Sequence, residues 1–343
     1  MKKALVISGG GSKGAFAVGV LQQLKVAFPT LNFDIIVGTS AGALLTPLAA
    51  LKEIDLLEKV FTSLTTDKVI TQHRLGDRIN ETSIFTVEPL YQLIKTYVTD
   101  SRFNAIQASG TAIHIITTCL QTEGVNVYTN QKNVTPSPLY ISKTIKDAEH
   151  LRLAVLASAC QPLLMTPVKV DFNYTTGNEK NFQYVDGGVR EFAGIQMAID
   201  NGATEIFCIL LSTGKDDVVN AAFTSLFPIL QRTITILTEE VQKNDVYIPE
   251  QYAKTTNYLQ LVKQRMKTDG VPKQKIDQYF APDASTPAYL IGGAIKLFLL
   301  RPDAPLGGGP GGLVFDPVEM KGMIEKGRRV VDKFVAGNVR HET

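Results

Sequence analysis

The apolar run Phe33-Asp34-Ile35-Ile36-Val37 passes directly into Gly38-Thr39-Ser40-Ala41-Gly42 and then into a stretch that reads as helix. A strand that bends this sharply into a helix leaves no room for side chains beside the bend, which is why glycine is needed at Gly38 and Gly42. Such a nucleophile elbow holds its serine in a strained backbone conformation. The Ser40 hydroxyl is then expected over the sheet edge, beside the first amides of a helix whose dipole favours negative charge. The pattern predicts an α/β fold and suggests acyl transfer through a serine ester. The same residues would also make an ordinary strand–helix turn with Ser40 bonded to backbone amides.

A second strand–loop–helix unit opens the chain. Ala4-Leu5-Val6-Ile7-Ser8 reads as a short buried strand, Gly9-Gly10-Gly11-Ser12-Lys13-Gly14 as a glycine loop, and Ala15 to Leu24 as a helix with apolar residues at helical spacing. Consecutive glycines let backbone N–H groups converge on one point, so the loop predicts an anion site. A Walker loop would need Ser or Thr after Lys13, where Gly14 stands. Gly9, Gly11 and Gly14 do satisfy GxGxxG, the dinucleotide fingerprint, which also wants an acidic residue at the carboxyl end of the second strand. Asp34 stands near the start of that strand instead. The remaining anion is the oxyanion of a tetrahedral intermediate. If the first two strands are parallel neighbours, the glycine loop and Ser40 leave the sheet at the same carboxyl edge and converge.

A base must complete such a site. None of the four histidines, His73, His114, His150 and His341, follows a strand end with a Gly-rich turn. Phe182-Gln183-Tyr184-Val185 is strand-like and ends in Asp186-Gly187-Gly188, where small residues allow close approach to the carboxylate. GGGxKG, GTSAG and DGG, in this order, resemble the patatin-like phospholipase family, as do Ala157-Ser158-Ala159-Cys160-Gln161-Pro162 and the downstream Pro167. The resemblance spans roughly Met1 to Gly188. It implies a three-layer α/β fold with a mainly parallel central sheet and helices on both faces. By the same resemblance Ser40 is the nucleophile, Asp186 the base, and the amides around Gly10, Gly11 and Ser12 the oxyanion hole, with no histidine, metal or cofactor. The implied substrates are fatty acyl esters of phospholipids or related lipids. Two departures stand out: Lys13 where arginine is usual, which removes a planar fork but keeps the charge, and Ser8 where an acidic residue is common. The rivals are a nucleotide-binding oxidoreductase and a noncatalytic lipid-binding module on the same fold.

The rest of the chain sets limits. Its 343 residues, 44% hydrophobic, suffice for one domain over 1–343, with a motif-bearing core at about 1–213 and further helices and a strand at 214–343. A net charge of +2 with no basic run interleaved with aromatics argues against nucleic-acid binding. Cys119, Cys160 and Cys208 are an odd count in apolar contexts, which fits a reducing compartment. No signal segment or twenty-residue apolar span is evident, so the expectation is a cytoplasmic protein touching membranes peripherally. Ala112 to Thr118 and Val125 to Thr129 read as a strand pair, and Ala203 to Ser212 as a buried strand running on into the loop Thr213 to Asp217. Ala221 to Asn244 reads as a helix, Ile295 to Pro302 as a late strand and Asp316 to Phe334 as a terminal helix. Glu53 to Gln107 could cap the site, and Leu306 to Gly312 reads as a flexible loop. Ala222-Phe223, Leu226-Phe227 and Ile229-Leu230 could touch a membrane surface, pack on the sheet or form a homodimer contact.

Overall fold

The structure is a computed structural model that describes residues 1–343 except 74–80, 133–135, 216–217, 221, 284, 292 and 340–343. Ala221, Asp217, His341 and the side chain of Phe227 therefore lie outside the described residues.

Strand β1 (Lys2–Ile7) feeds α1 (Gly14–Ala27) through a 3-10 turn at Gly11–Lys13, and β2 (Ile35–Thr39) feeds α2 (Ala41–Ala50). Helix α3 (Ile54–Phe61), the short pair β3 (Thr71–Gln72) and β4 (Phe85–Thr86), and helices α4 (Glu88–Tyr97) and α5 (Asp100–Ser109) follow. Next come β5 (Ala112–Cys119), β6 (Val125–Thr129), β7 (Ile141–Thr144), α6 (Ala148–Ala159), β8 (Tyr184–Asp186), α7 (Ile195–Asp200) and β9 (Ala203–Ile209). The chain finishes with α8 (Leu226–Thr268), α9 (Lys273–Tyr279), α10 (Ala288–Ile291), β10 (Lys296–Leu300) and α11 (Pro317–Val339).

Among the described residues the central sheet has eight strands, ordered β10-β9-β1-β2-β5-β6-β7, with β8 also on β5. The pairs from β10 through β5 are parallel, while β6 and β8 run antiparallel to β5. The near-continuous apolar runs of β1, β2 and β5 suit strands covered on both faces. Alternation along β1 shows this directly. Leu5 and Ile7 enter a core with Phe16, Leu45, Leu151 and Ile324, whereas Ala4 and Val6 enter a second core with Ile195, Met197 and Val246. The first core packs under α1, α2, α6 and α11, and the second under α7 and α8.

Two expectations need correction. The residues 53–107 do not wall the site, because α3 and α4 turn Leu57, Phe61, Leu90 and Ile94 into the first core. The helix expected to end at Asn244 runs 43 residues, from Leu226 to Thr268, and carries Pro249 inside it. It takes over the role expected of the cap.

Candidate active site

The register places the loops. Ile7 pairs with Gly38 on one side and with Ile209 on the other, so β1, β2 and β9 end level and release their loops at one carboxyl edge. On β5, residues 112–116 pair with β2 while Thr117 to Cys119 pair with the antiparallel β8, so both neighbours share one edge of β5. Strand β2 climbs this edge and β8 descends it. Their ends meet where Thr39 pairs with Ile116 and Asp186 pairs with Thr117. Ser40 and Asp186, separated by most of the motif-bearing core in sequence, are thereby brought together.

Ser40 adopts φ 55 and ψ −119, a region that side chains other than glycine rarely occupy. The bend is tight on both sides. A Cβ on Gly42 would lie 2.0 Å from the Ile7 carbonyl oxygen, and one on Gly38 would lie 2.3 Å from Thr46 Oγ1. Ser158, fully buried on α6, locks the elbow by accepting the Ser40 N–H at 2.9 Å and donating to the Ile116 carbonyl at 2.6 Å. Two residues on, the Cys160 carbonyl accepts the Asp186 N–H at 2.8 Å. One short segment thus holds both members of the pair, which gives the Ala-Ser motif a mechanical reason.

Asp186 is 6% exposed, and its Oδ1 accepts the Gly188 N–H at 2.8 Å. Burial pushes its pKa up to about 6, against the opposing pull of hydrogen bonding with the Ser40 side chain and the Gly188 amide. Gly187 abuts β5, where a Cβ would lie 2.5 Å from the Ile116 carbonyl oxygen. A cavity of about 130 Å³ exposes Ser40 and Asp186 together with Gly9, Gly10, Gly188 and Lys13. Gly11 and Ser12 do not line it. They lie behind, where the loop Leu306–Gly312 packs on them so closely that a Cβ on Gly11 would lie 2.2 Å from the Gly312 carbonyl oxygen. Gly14 begins α1 under Phe61. Ser8, in place of the acidic residue, accepts the Leu211 N–H at 3.0 Å and so joins the loops after β1 and β9.

The remaining walls were not visible as site residues in the sequence. Phe192 lies against Gly9 and Gly188, Gln161 donates to the Gly311 carbonyl at 2.8 Å, and α8 contributes Ile234, Thr235, Thr238 and Gln242. Helix α8 is fixed to the rim by Gln242, which donates to Ser212 Oγ at 2.5 Å, and by Asp245, which accepts the N–H groups of Phe192 and Ala193.

The other candidates fall elsewhere. Asp34 accepts the Lys3 N–H at 2.8 Å at the amino end of the strands, away from the glycine loop, so Asp34 does not stand where a dinucleotide fingerprint needs its ribose partner. His114 is buried within β5, and burial lowers its pKa to about 4. His150 bonds Asp171 at 3.1 Å in a buried network with Tyr128, Tyr184 and Lys143. Among the described residues no three His, Cys, Asp or Glu side chains converge to hold a metal ion.

Residues 5–199 match the patatin-like phospholipase family, a span that contains all four motifs and both Ser40 and Asp186. The chain belongs to this family. Patatin-like proteins act on lipid esters, and the mixed, mainly parallel sheet flanked by helices is the patatin α/β arrangement. Among solved structures, VipD from Legionella pneumophila is similar at 12% identity and a TM-score of 0.37, over 97% of this chain and 67% of that one. A likeness that distant carries nothing about function. No curated protein matches the chain. Among the described residues, no helix is long and apolar enough to cross a membrane.

Proposed function

We propose that this patatin-like protein hydrolyses fatty acyl esters of phospholipids or related lipids through a Ser40 acyl-enzyme with Asp186 as base. The observation that carries the reading is the meeting of a strained serine and a buried carboxylate whose pKa is raised to about 6. An ordinary carboxylate is a poor base for a hydroxyl, and burial narrows the mismatch. As Ser40 Oγ bonds to the ester carbonyl carbon, its proton passes to Asp186 and the carbonyl electrons move onto oxygen. In this reading the backbone amides around Gly10, Gly11 and Ser12 hold that oxyanion, a role supported by Gly10 lining the same cavity as Ser40. Collapse breaks the bond to the alcohol, which leaves with the proton from Asp186. Water then repeats the sequence, releasing the fatty acid and restoring Ser40.

Ser40→Ala and Asp186→Asn are each expected to abolish ester hydrolysis with the circular dichroism spectrum unchanged, and a fluorophosphonate is expected to label Ser40. Full activity in Ser40→Ala would overturn the reading. A transient membrane contact accompanies it. Leu226, Ile229, Ile236 and Leu237 form an exposed apolar stripe on the outer side of α8, whose inner side lines the cavity. Ile236→Asp is expected to reduce flotation with liposomes, and unchanged flotation would remove this contact.

A further inference from the structure

A second cavity, about 720 Å³, opens beside the one that exposes Ser40 and shares with it Lys13, Leu211, Ser212, Glu239 and Gln242. Its size falls within the roughly 300–1,000 Å³ of ligand sites. We propose that it seats the phosphate-bearing head group of the lipid whose ester is cleaved at Ser40, a proposal that rests on the hydrolase reading above.

The cavity's charge is the first argument. Its described lining carries four cationic residues, Lys13, Lys215, Lys243 and Arg301, against two carboxylates, Glu239 and Glu250. The whole chain carries 35 lysines and arginines against 33 acids, so a surplus of two inside one cavity equals the surplus of the entire protein. These cations come from four separate parts of the chain: the glycine loop, the loop after β9, helix α8 and the end of β10. A cavity that draws positive charge from so many elements lowers the energy of an anion at their common focus.

Arginine geometry is the second argument. The Arg301 guanidinium approaches the Thr213 carbonyl at 3.5 Å and lies so close to Gly214 that a Cβ there would fall 2.0 Å from Nη1. The missing side chain at Gly214 is what lets the guanidinium approach that loop so closely. A planar fork held in place can donate to two phosphate oxygens at once. Lys13 lines both cavities, the one that exposes Ser40 and the one that holds Arg301. A glycerol backbone crossing at Lys13 and Leu211 would put its acyl ester at Ser40 and its phosphate among Lys215, Lys243 and Arg301.

The test compares dioleoyl phosphatidylglycerol with dioleoylglycerol in micelles of a nonionic detergent, with glycerol 3-phosphate and inorganic phosphate as competitors and a p-nitrophenyl butyrate control. Wild type is expected to favour the phospholipid in kcat/KM by about tenfold or more, as charge-assisted hydrogen bonding to phosphate requires. Arg301→Gln and, separately, the exposed Lys215→Gln are expected to cut that ratio severalfold through KM, and Arg301→Lys to restore part of it. Equal kcat/KM for the two lipids, or a ratio untouched by both glutamine variants, would overturn the proposal while hydrolysis of p-nitrophenyl butyrate upheld the hydrolase reading. Inhibition by inorganic phosphate without any preference for the phospholipid would overturn the head-group assignment in favour of a small phosphate. Failure to hydrolyse all three esters would overturn both readings together.

Discussion

Asp186→Asn is expected to make the protein more stable at neutral pH even as it removes the proposed base. A carboxyl whose pKa rises from 3.8 to about 6 on folding is bound to its proton more tightly in the native state than in the unfolded chain. Stability therefore falls as pH rises from about 4 to 6, and the full penalty is present above 6. Linkage puts the penalty at about 1 kcal/mol at pH 4.5 and about 3 kcal/mol at pH 7.5. Asparagine has nearly the same shape, its oxygen can still accept the Gly188 N–H, and it carries no charge at either pH. Urea unfolding of wild type and Asp186→Asn at both pH values should thus show the variant ahead by about 2 kcal/mol more at pH 7.5 than at pH 4.5. Taking the difference between the two proteins removes other titrations, including Glu191 and Asp245, whose carboxyls are also pushed up by burial. A variant no more stable than wild type at pH 7.5, or one whose advantage does not change with pH, would show that Asp186 is not held under this desolvation and would take away the physical basis for its acting as a base.

Because the ionised carboxylate is the form that can accept a proton, kcat/KM for a soluble ester should rise through a single ionisation near pH 6 and stay level above it; a profile flat from pH 5 to 8 would contradict this. Ser158→Ala strips partners from the Ser40 N–H and the Ile116 carbonyl, and should lower stability by about 2 kcal/mol or more and kcat more than KM, measured by denaturation and steady-state kinetics. Ser40→Gly should be about 1 kcal/mol more stable than Ser40→Ala, since both lack the hydroxyl but only glycine tolerates φ 55 without strain. Gly42→Ala forces a methyl to within 2.0 Å of a main-chain oxygen of β1 and should cost about 3 kcal/mol in thermal or chemical unfolding.

The parts of the site that the sequence reveals are the local ones. GGGSKG and GTSAG each sit at a strand–helix junction, where period, glycine and helix start fall within a dozen residues, and both units lie where expected. The β5–β6 pair, β9, β10 and α11 are likewise written in short apolar runs and turn residues. Asp186 could be picked out by its Gly-Gly neighbours, but nothing local says that β8 would pair antiparallel on the edge of β5 that β2 vacates. That placement depends on register between segments far apart in the chain, Thr117 with Asp186 and Thr39 with Ile116. The loop Leu306–Gly312 reads as flexible because its glycines suit any turn. Their real use, close approach to Gly11 and Gly10, involves backbone roughly 300 residues upstream and has no periodic signature. The length of α8 is hidden for a different reason: beyond Asn244 the helix is polar on much of its surface, so apolar spacing fades although the helix continues to Thr268.

Two energetic costs meet at the candidate site, backbone strain at Ser40 and the buried charge of Asp186, the second offset only by hydrogen bonding with Ser40 and the Gly188 amide. What keeps both in place is the segment Ser158 to Cys160, which bonds the Ser40 amide through a side chain and the Asp186 amide through a carbonyl. Since α6 itself is buried against β5 and α2 through Leu151, Val155 and Leu156, the core holds that segment rigid. Relaxing Ser40 to an ordinary helix start would break the Ser158 bond, and moving Asp186 toward water would break the Cys160 bond, with the β8–β5 pairing opposing the same movement. The stability of the hydrophobic core is in this way coupled to a strained hydroxyl and an underprotected carboxylate. The proposed dyad needs no histidine under that condition, because burial alone raises the pKa of the carboxylate assigned as base, without a third residue to orient it.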